Sequence, residues 1–263
     1  SLDEFKVIFW WEFIHRFLGR LIGIFFLLPL FFFFLKLGFK QTKNLFIIFI
    51  LICLQGFIGW YMVVSGLVDR VDVSHYRLSI HLVLAFIILS LIFWNYLMYK
   101  EIKRSKHKII NILPIIFLFL LFVQIAIGAF VSGMDAGKIY NSWPLMGSGY
   151  FPDDNSITNL LNLSAFDDPA LVQFMHRNLA YFILLIYFLI LINVYKNKLS
   201  TFFKVVNIIG LFLFLQIILG ILTILSGAQI FISSMHQISS VFLVSSSIYL
   251  LYLNFNVNLQ PSS

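Results

Sequence analysis

Little in this chain can cross-link, and few of its carboxylates lie where the chain is apolar. Of 263 residues only one is cysteine, Cys53, and it sits inside an apolar stretch. An intramolecular disulfide is therefore excluded, and a cysteine-based metal site has too few ligands. Charged residues make up 11% of the chain, against about 25% in ordinary soluble domains. Glu12 is the single carboxylate within a long apolar segment, which argues against a di-iron site, because that needs several inward carboxylates. The first apolar segment is too long, and too charged, for a signal peptide.

What is present is apolar bulk. Hydrophobic residues are 61% of the chain and the mean hydropathy is +0.97. Runs such as 24–35 and 110–122 carry no charge. The composition defines an all-α polytopic membrane protein, because a lipid-embedded backbone must satisfy its own hydrogen bonds. Seven spanning segments are expected, near 8–35, 45–67, 76–98, 109–133, 169–194, 202–226 and 231–253. Pro29 predicts a kink in the first. Asp168 and Pro169 read as N-cap and first residue of the fifth.

The net charge of +7 could suggest nucleic acid, but its distribution excludes that partner. Lys36, Lys40 and Lys43 follow the first segment. Lys100, Lys103, Arg104, Lys106 and Lys108 follow the third, and Lys196, Lys198 and Lys204 the fifth. These positions are expected on the cytoplasmic or matrix side of a bilayer. Asp69, Asp72, Asp135, Asp153, Asp154, Asp167 and Asp168 mark the opposite side. The N-terminus is then outside, and segments one, three, five and seven enter from outside.

Those four segments carry His15, His81, His176 and His236, each near its outer end. A histidine within a membrane segment is a functional residue by default, although a single one is often only a packing residue. Four at one depth point to metal ligation. Zinc would want three or four clustered ligands. Pairs on neighbouring helices fit axial ligation of haem iron, one haem for each pair. His75 and His107 read as surface loop residues.

An internal parallel repeat supports the pairing. The stretch 12–28 aligns with 173–189, setting His15 on His176 and Arg16 on Arg177. The stretch 54–67 aligns with 215–228, setting Gln55 on Gln216 and Gly66 on Gly227, and 123–137 carries a related Gln and Gly pattern. Two halves follow, 1–108 and 109–263. Glu12 becomes Gln173 in the second half, so a carboxylate able to act as base faces an amide that cannot. The contrast suggests one reactive site and one that binds or transfers electrons, or simple drift after duplication. Glu12 and His15 share a helix face, with Arg16 and Arg20 close by. The arginines either snorkel to the interface or pair with an anionic group such as a haem propionate. Gly19 and Gly23 form a small-xxx-small pair that would admit a close helix neighbour. The long segment 133–168 is expected to fold over the outer helix ends.

With these residues assembled, the chain resembles the haem A synthases. The resemblance rests on EFIHR (12–16), HRNLAY (176–181), His81, His236 and SGMDAGKIYNSWPLMG (132–147), and covers nearly the whole chain. It implies conversion of haem O to haem A by oxidation of a ring methyl to a formyl group. It implies eight helices in two four-helix halves, so a first helix is expected ahead of the seven here. By the same resemblance His15 and His81 flank the substrate haem. His176 and His236 ligate a haem b, and Glu12 is the catalytic carboxylate. From the residues themselves, Arg16, Arg20 and the aligned Arg177 are expected to contribute to cofactor binding. Implied partners are haem O synthase and cytochrome oxidase assembly factors, with a homo-oligomer possible in principle. The implied location is the bacterial cytoplasmic or mitochondrial inner membrane, with the histidine sites toward the periplasmic or intermembrane side. The absence of loop cysteine pairs matches the proteobacterial and mitochondrial branch. The histidine pattern by itself equally fits a di-haem cytochrome b that only transfers electrons. A transporter is disfavoured, since the repeats are parallel rather than inverted.

Overall fold

The computed structural model describes residues 2–66, 73–100, 108–110 and 112–256, the side chains of 2–4, 8, 65 and 66 excepted. Asp69, Asp72, Lys103, Arg104, Lys106 and His107 lie outside the described residues. Seven long apolar helices are found among the rest: α1 Leu2–Leu37, α2 Phe39–Gly66, α3 His75–Tyr99, α4 Ile112–Gly133, α5 Pro169–Lys196, α6 Ser200–Leu225 and α7 Ile230–Phe255. Each is long enough at ~1.5 Å per residue to cross a hydrocarbon core of about 30 Å. The chain is an all-α polytopic membrane protein.

Two compact units are present, Ser1–Asp72 and Val73–Ser263. In the first, α1 packs on α2. Only Gly38 separates them, in the left-handed region at φ 76, where glycine carries no Cβ penalty. Its amide donates to Phe34 O, and the Thr42 hydroxyl donates back to Gly38 O at 2.9 Å. The turn is so short that Lys36 falls in the last turn of α1, and Lys40 and Lys43 in the first turns of α2. No separate loop holds them. The helix α1 runs unbroken through Pro29 and starts earlier than expected, because its polar first turns simply continue the helix. A Cβ at Gly19 or Gly23 would meet nothing within 4 Å among the described residues. The small-residue pair therefore receives no close neighbour there.

In the second unit α4, α5, α6 and α7 close a ring: α4 packs on α5, α5 on α6, α6 on α7 and α7 on α4. The helix α3 packs against α4 and α7. The compact units thus part at residue 72, whereas the halves drawn from the repeat part at 108. Phe117 and Phe202 are fully buried at the bundle core, with Ile183, Ile190 and Val206 around them. Lipid is as apolar as such a core, so burial here gains close packing more than transfer free energy. Interhelical polar contacts add direction. Ser79 of α3 donates to Ala126 O of α4 at 3.0 Å, and Ile109 N donates to Asn254 Oδ1 of α7 at 2.8 Å.

Candidate functional site

The histidines of α5 and α7 each lie against the preceding helix of the four-helix ring, His176 on Gly128 of α4 and His236 on Gly220 of α6. His176 is the eighth residue of α5 and His236 the seventh of α7, so the two lie at matching heights. Their helices are diagonal in the ring. Each side chain is partly accessible, yet each Nδ1 is sealed from solvent without a hydrogen-bond partner. A buried polar nitrogen without a partner is costly unless something else uses it.

The preceding helix supports each ring. From α4, Gln124 Nε2 donates to the His176 carbonyl at 3.0 Å and lies 3.3 Å from its Nε2. From α6, Gln216 Nε2 donates to the His236 carbonyl at 2.8 Å and to Ser239 Oγ at 2.6 Å. One turn on, Gly128 and Gly220 lie against the rings: an added Cβ would stand 3.0 Å from His176 Cε1 and 3.2 Å from His236 Cε1. None of these four residues was singled out as a ligand support from sequence. The readable signal is a Gln-x-x-x-Gly spacing at 55/59, 124/128 and 216/220, on the helix before each of three histidine helices.

The residues present fit an axially ligated haem. Two diagonal helices each carry an imidazole that is partly accessible, rests on a glycine and has one nitrogen without a protein partner. No three His, Cys, Asp or Glu side chains cluster as a metal site among the described residues, so the donor set is neither that of zinc nor of a carboxylate-bridged pair.

Arg177, next to His176, is buried and directed outward along the helix. Its Nη2 donates to Tyr140 O at 3.1 Å and its Nη1 to Leu145 O at 3.3 Å. Gln173, one turn earlier and only 1% exposed, donates to the same Tyr140 carbonyl at 3.1 Å. Both residues therefore hold the segment that follows α4. That segment lies over the ends of α5 and α6, as expected: Trp143 Nε1 donates to Tyr181 Oη, Tyr150 Oη to Asn178 Oδ1, and Asn141 Nδ2 to Ile224 O. It is built from short 3-10 turns at Ala136–Lys138, Ile157–Leu161 and Leu163–Asp167. At its tip Gly147 takes φ 82, and the Asp153 carboxylate occupies the space a Cβ would need. Ser148 donates its N–H and hydroxyl to that carboxylate, which holds the Asp153 carboxyl below the usual carboxylate range. Burial, then Asp154 beside it, raises the Tyr140 phenol.

His81 is the seventh residue of α3 and partly buried. In the first unit His15, Arg16, Arg20 and Glu12 are all exposed on α1. Arg16 Nη2 donates to Glu12 Oε2 at 2.7 Å, an i,i+4 pair with both side chains about half exposed. His75 is a correction. It is not a surface loop histidine but the first residue of α3, packed against Gly133 and Phe130 and 3.3 Å from Asp167 Oδ1.

A polytopic helical membrane protein with a histidine on each of two diagonal helices of one four-helix ring is the class that this fold and site define. The profile of the COX15-CtaA family, described as cytochrome oxidase assembly protein, matches residues 1–248, and the chain belongs to that family. It is 48% identical over 260 residues to the Heme A synthase of Pelagibacter ubique (strain HTCC1062), covering 97% of this chain and 76% of that protein. The Heme A synthase of Rickettsia bellii (strain OSU 85-389) is 40% identical, over 93% of this chain and 75% of that protein. That of Rickettsia prowazekii (strain Madrid E) is 37% identical, over 96% and 77%.

Proposed function

We propose that this chain oxidises a ring methyl of haem O to a formyl group, making haem A for terminal oxidases. It is a membrane oxidoreductase, and haem O and haem A are its substrate and product. The observation that carries the reading is the 48% identity to a Heme A synthase along nearly the whole chain. The matching positions of His176 and His236 on diagonal helices of the ring add to it.

Within this reading His176 and His236 hold a haem b, which when bound supplies one-electron transfer. The sealed Nδ1 atoms and the glycine-lined rings support that assignment. His15 and His81 flank the substrate haem, an assignment supported by the repeat that sets His15 on His176 and by family membership. Arg16 and Arg20 offer guanidinium groups to the substrate's propionates, and Arg177 is assigned to cofactor binding as the repeat partner of Arg16, although two of its nitrogens already donate to the Tyr140 and Leu145 carbonyls. Glu12 is the catalytic carboxylate. Turning methyl into formyl adds oxygen and removes electrons and protons at one carbon; a carboxylate there stabilises developing positive charge and accepts a proton. The aligned Gln173 can do neither, and its amide is spent on the Tyr140 carbonyl.

The repeat supports two functional halves, 1–108 for the substrate haem and 109–263 for haem b. The loop charges favour histidine sites on the periplasmic or intermembrane side. The enzyme that makes haem O and the factors that receive haem A are the natural partners, from the chemistry of substrate and product.

Pigment extraction from purified protein tests the reading. Haem O or haem A beside haem b is the expected result. Haem b alone would favour a cytochrome b that only transfers electrons. Replacing His176 or His236 with Ala should remove the haem b spectrum, because the haem would lose one of the two side chains proposed to hold it. An unchanged reduced-minus-oxidised spectrum in both variants would refute the pairing.

A further inference from the structure

One device occurs twice in the bundle, once behind each histidine. A glutamine on the preceding helix donates to the main-chain carbonyl of the histidine, and a glycine one turn later faces the ring. Residues four apart share a helix face, so one strip of α4 and one strip of α6 do both jobs. A mid-helix carbonyl already accepts from the amide four residues on, so a second donor is not needed to satisfy it. A polar amide inside a membrane bundle is costly unless its hydrogen bonds are made. Here the same residue type makes the same bond at two separate places.

We propose that Gln124 with Gly128, and Gln216 with Gly220, are positioning residues for His176 and His236. The amides fix how far each histidine sits along its helix. The glycines let the ring edge rest on backbone and so fix its tilt. Together they would set how the two imidazoles are presented to a haem held by them. The inference rests on the haem reading above and deepens it.

Nothing in this role requires contact with substrate, so its signature is spectroscopic. Methionine matches glutamine in length and volume but cannot donate, which makes Gln124→Met and Gln216→Met the main variants. Gly128→Ala and Gly220→Ala push the ring directly. A Cβ at 128 is the tighter of the two, and that variant should show the larger change. The measurements are haem per polypeptide, the low-spin haem electron paramagnetic resonance signal, the midpoint potential and the rate of haem loss to an apo-globin acceptor. Partners that orient a metal-bound histidine are typically worth about 10–100-fold in affinity, so haem loss in the methionine variants should accelerate toward that range. The resonance positions and midpoint potential of the retained haem should also shift. Full haem content with unchanged resonance, potential and haem-loss rate in both methionine variants would overturn the proposal, whether or not the alanine variants accumulate. His176→Ala and His236→Ala, measured in parallel, separate the two ideas. If they lose haem b while the methionine variants behave as wild type, positioning alone fails. If they keep haem b, the haem reading itself fails.

Discussion

Glu12→Gln separates chemistry from architecture, because the structure bounds what the carboxylate contributes to stability. Glu12 forms an i,i+4 pair with Arg16 at 2.7 Å, with side chains 58% and 49% exposed. In water such a pair is worth about 0.3–0.5 kcal/mol, and within an apolar spanning segment it is worth more, because lipid solvates neither charge. Glutamine is nearly isosteric, and the long Arg16 side chain can snorkel toward polar surroundings. The variant should therefore accumulate, fold and retain haem b. General acid–base assistance contributes about 10²–10⁴-fold, or roughly 3–5 kcal/mol of barrier at about 1.4 kcal/mol per tenfold. Haem A formation should therefore fall by that factor, while any loss of stability is read separately. The assay pairs haem extraction with a thermal melt of the purified variant. A normal haem A yield from well-expressed protein would end the catalytic assignment. Failure to accumulate, or loss of haem b, would show instead that the Glu12–Arg16 pair holds the fold.

Two predictions concern the segment above the bundle. Asp168 accepts from Leu171 N at 3.0 Å as the N-cap of α5, and also from Asn155 at 3.3 Å. Asp168→Ala should cost about 1 kcal/mol, seen as a lower thermal midpoint in detergent, and an unchanged midpoint would count against the cap. Gly147→Ala places a side chain at φ 82, costing roughly 1–2 kcal/mol, and drives it into the Asp153 carboxylate. Limited proteolysis should then cut between residues 140 and 156 faster than in wild type; equal rates would show that the tip tolerates the change.

The seven helices were legible because lipid leaves the backbone no alternative, and an uncharged run of such length has one reading. Asp168 and Pro169 were legible for a local reason, a capping oxygen followed by a residue with no amide to satisfy. The turn at Gly38 was not, since one glycine in the left-handed region can replace a loop that composition spreads over several residues. His75 was misread because burial depends on Gly133 and Phe130, far away in sequence. The histidines of α5 and α7 could be named, but their supports could not. Glutamine and glycine are common residues, and only the packing of α4 on α5 and of α6 on α7 gives their spacing a meaning. Arg177 could be marked as important from its neighbour His176. That it holds two carbonyls of the overlying segment follows from contacts 32 and 37 residues apart, which no local pattern displays.

Tyr140 is gripped from two directions by different parts of itself. Its carbonyl takes the amide of Gln173 and the guanidinium of Arg177, while its phenol donates to Asp154 within the segment. Every residue type has that carbonyl, so the inward anchorage is indifferent to the side chain at 140. Mutational drift at this position can retune the inner folding of the cover without detaching it from α5. The heritable burden of keeping it fastened falls on Gln173 and Arg177, whose side chains have no such freedom.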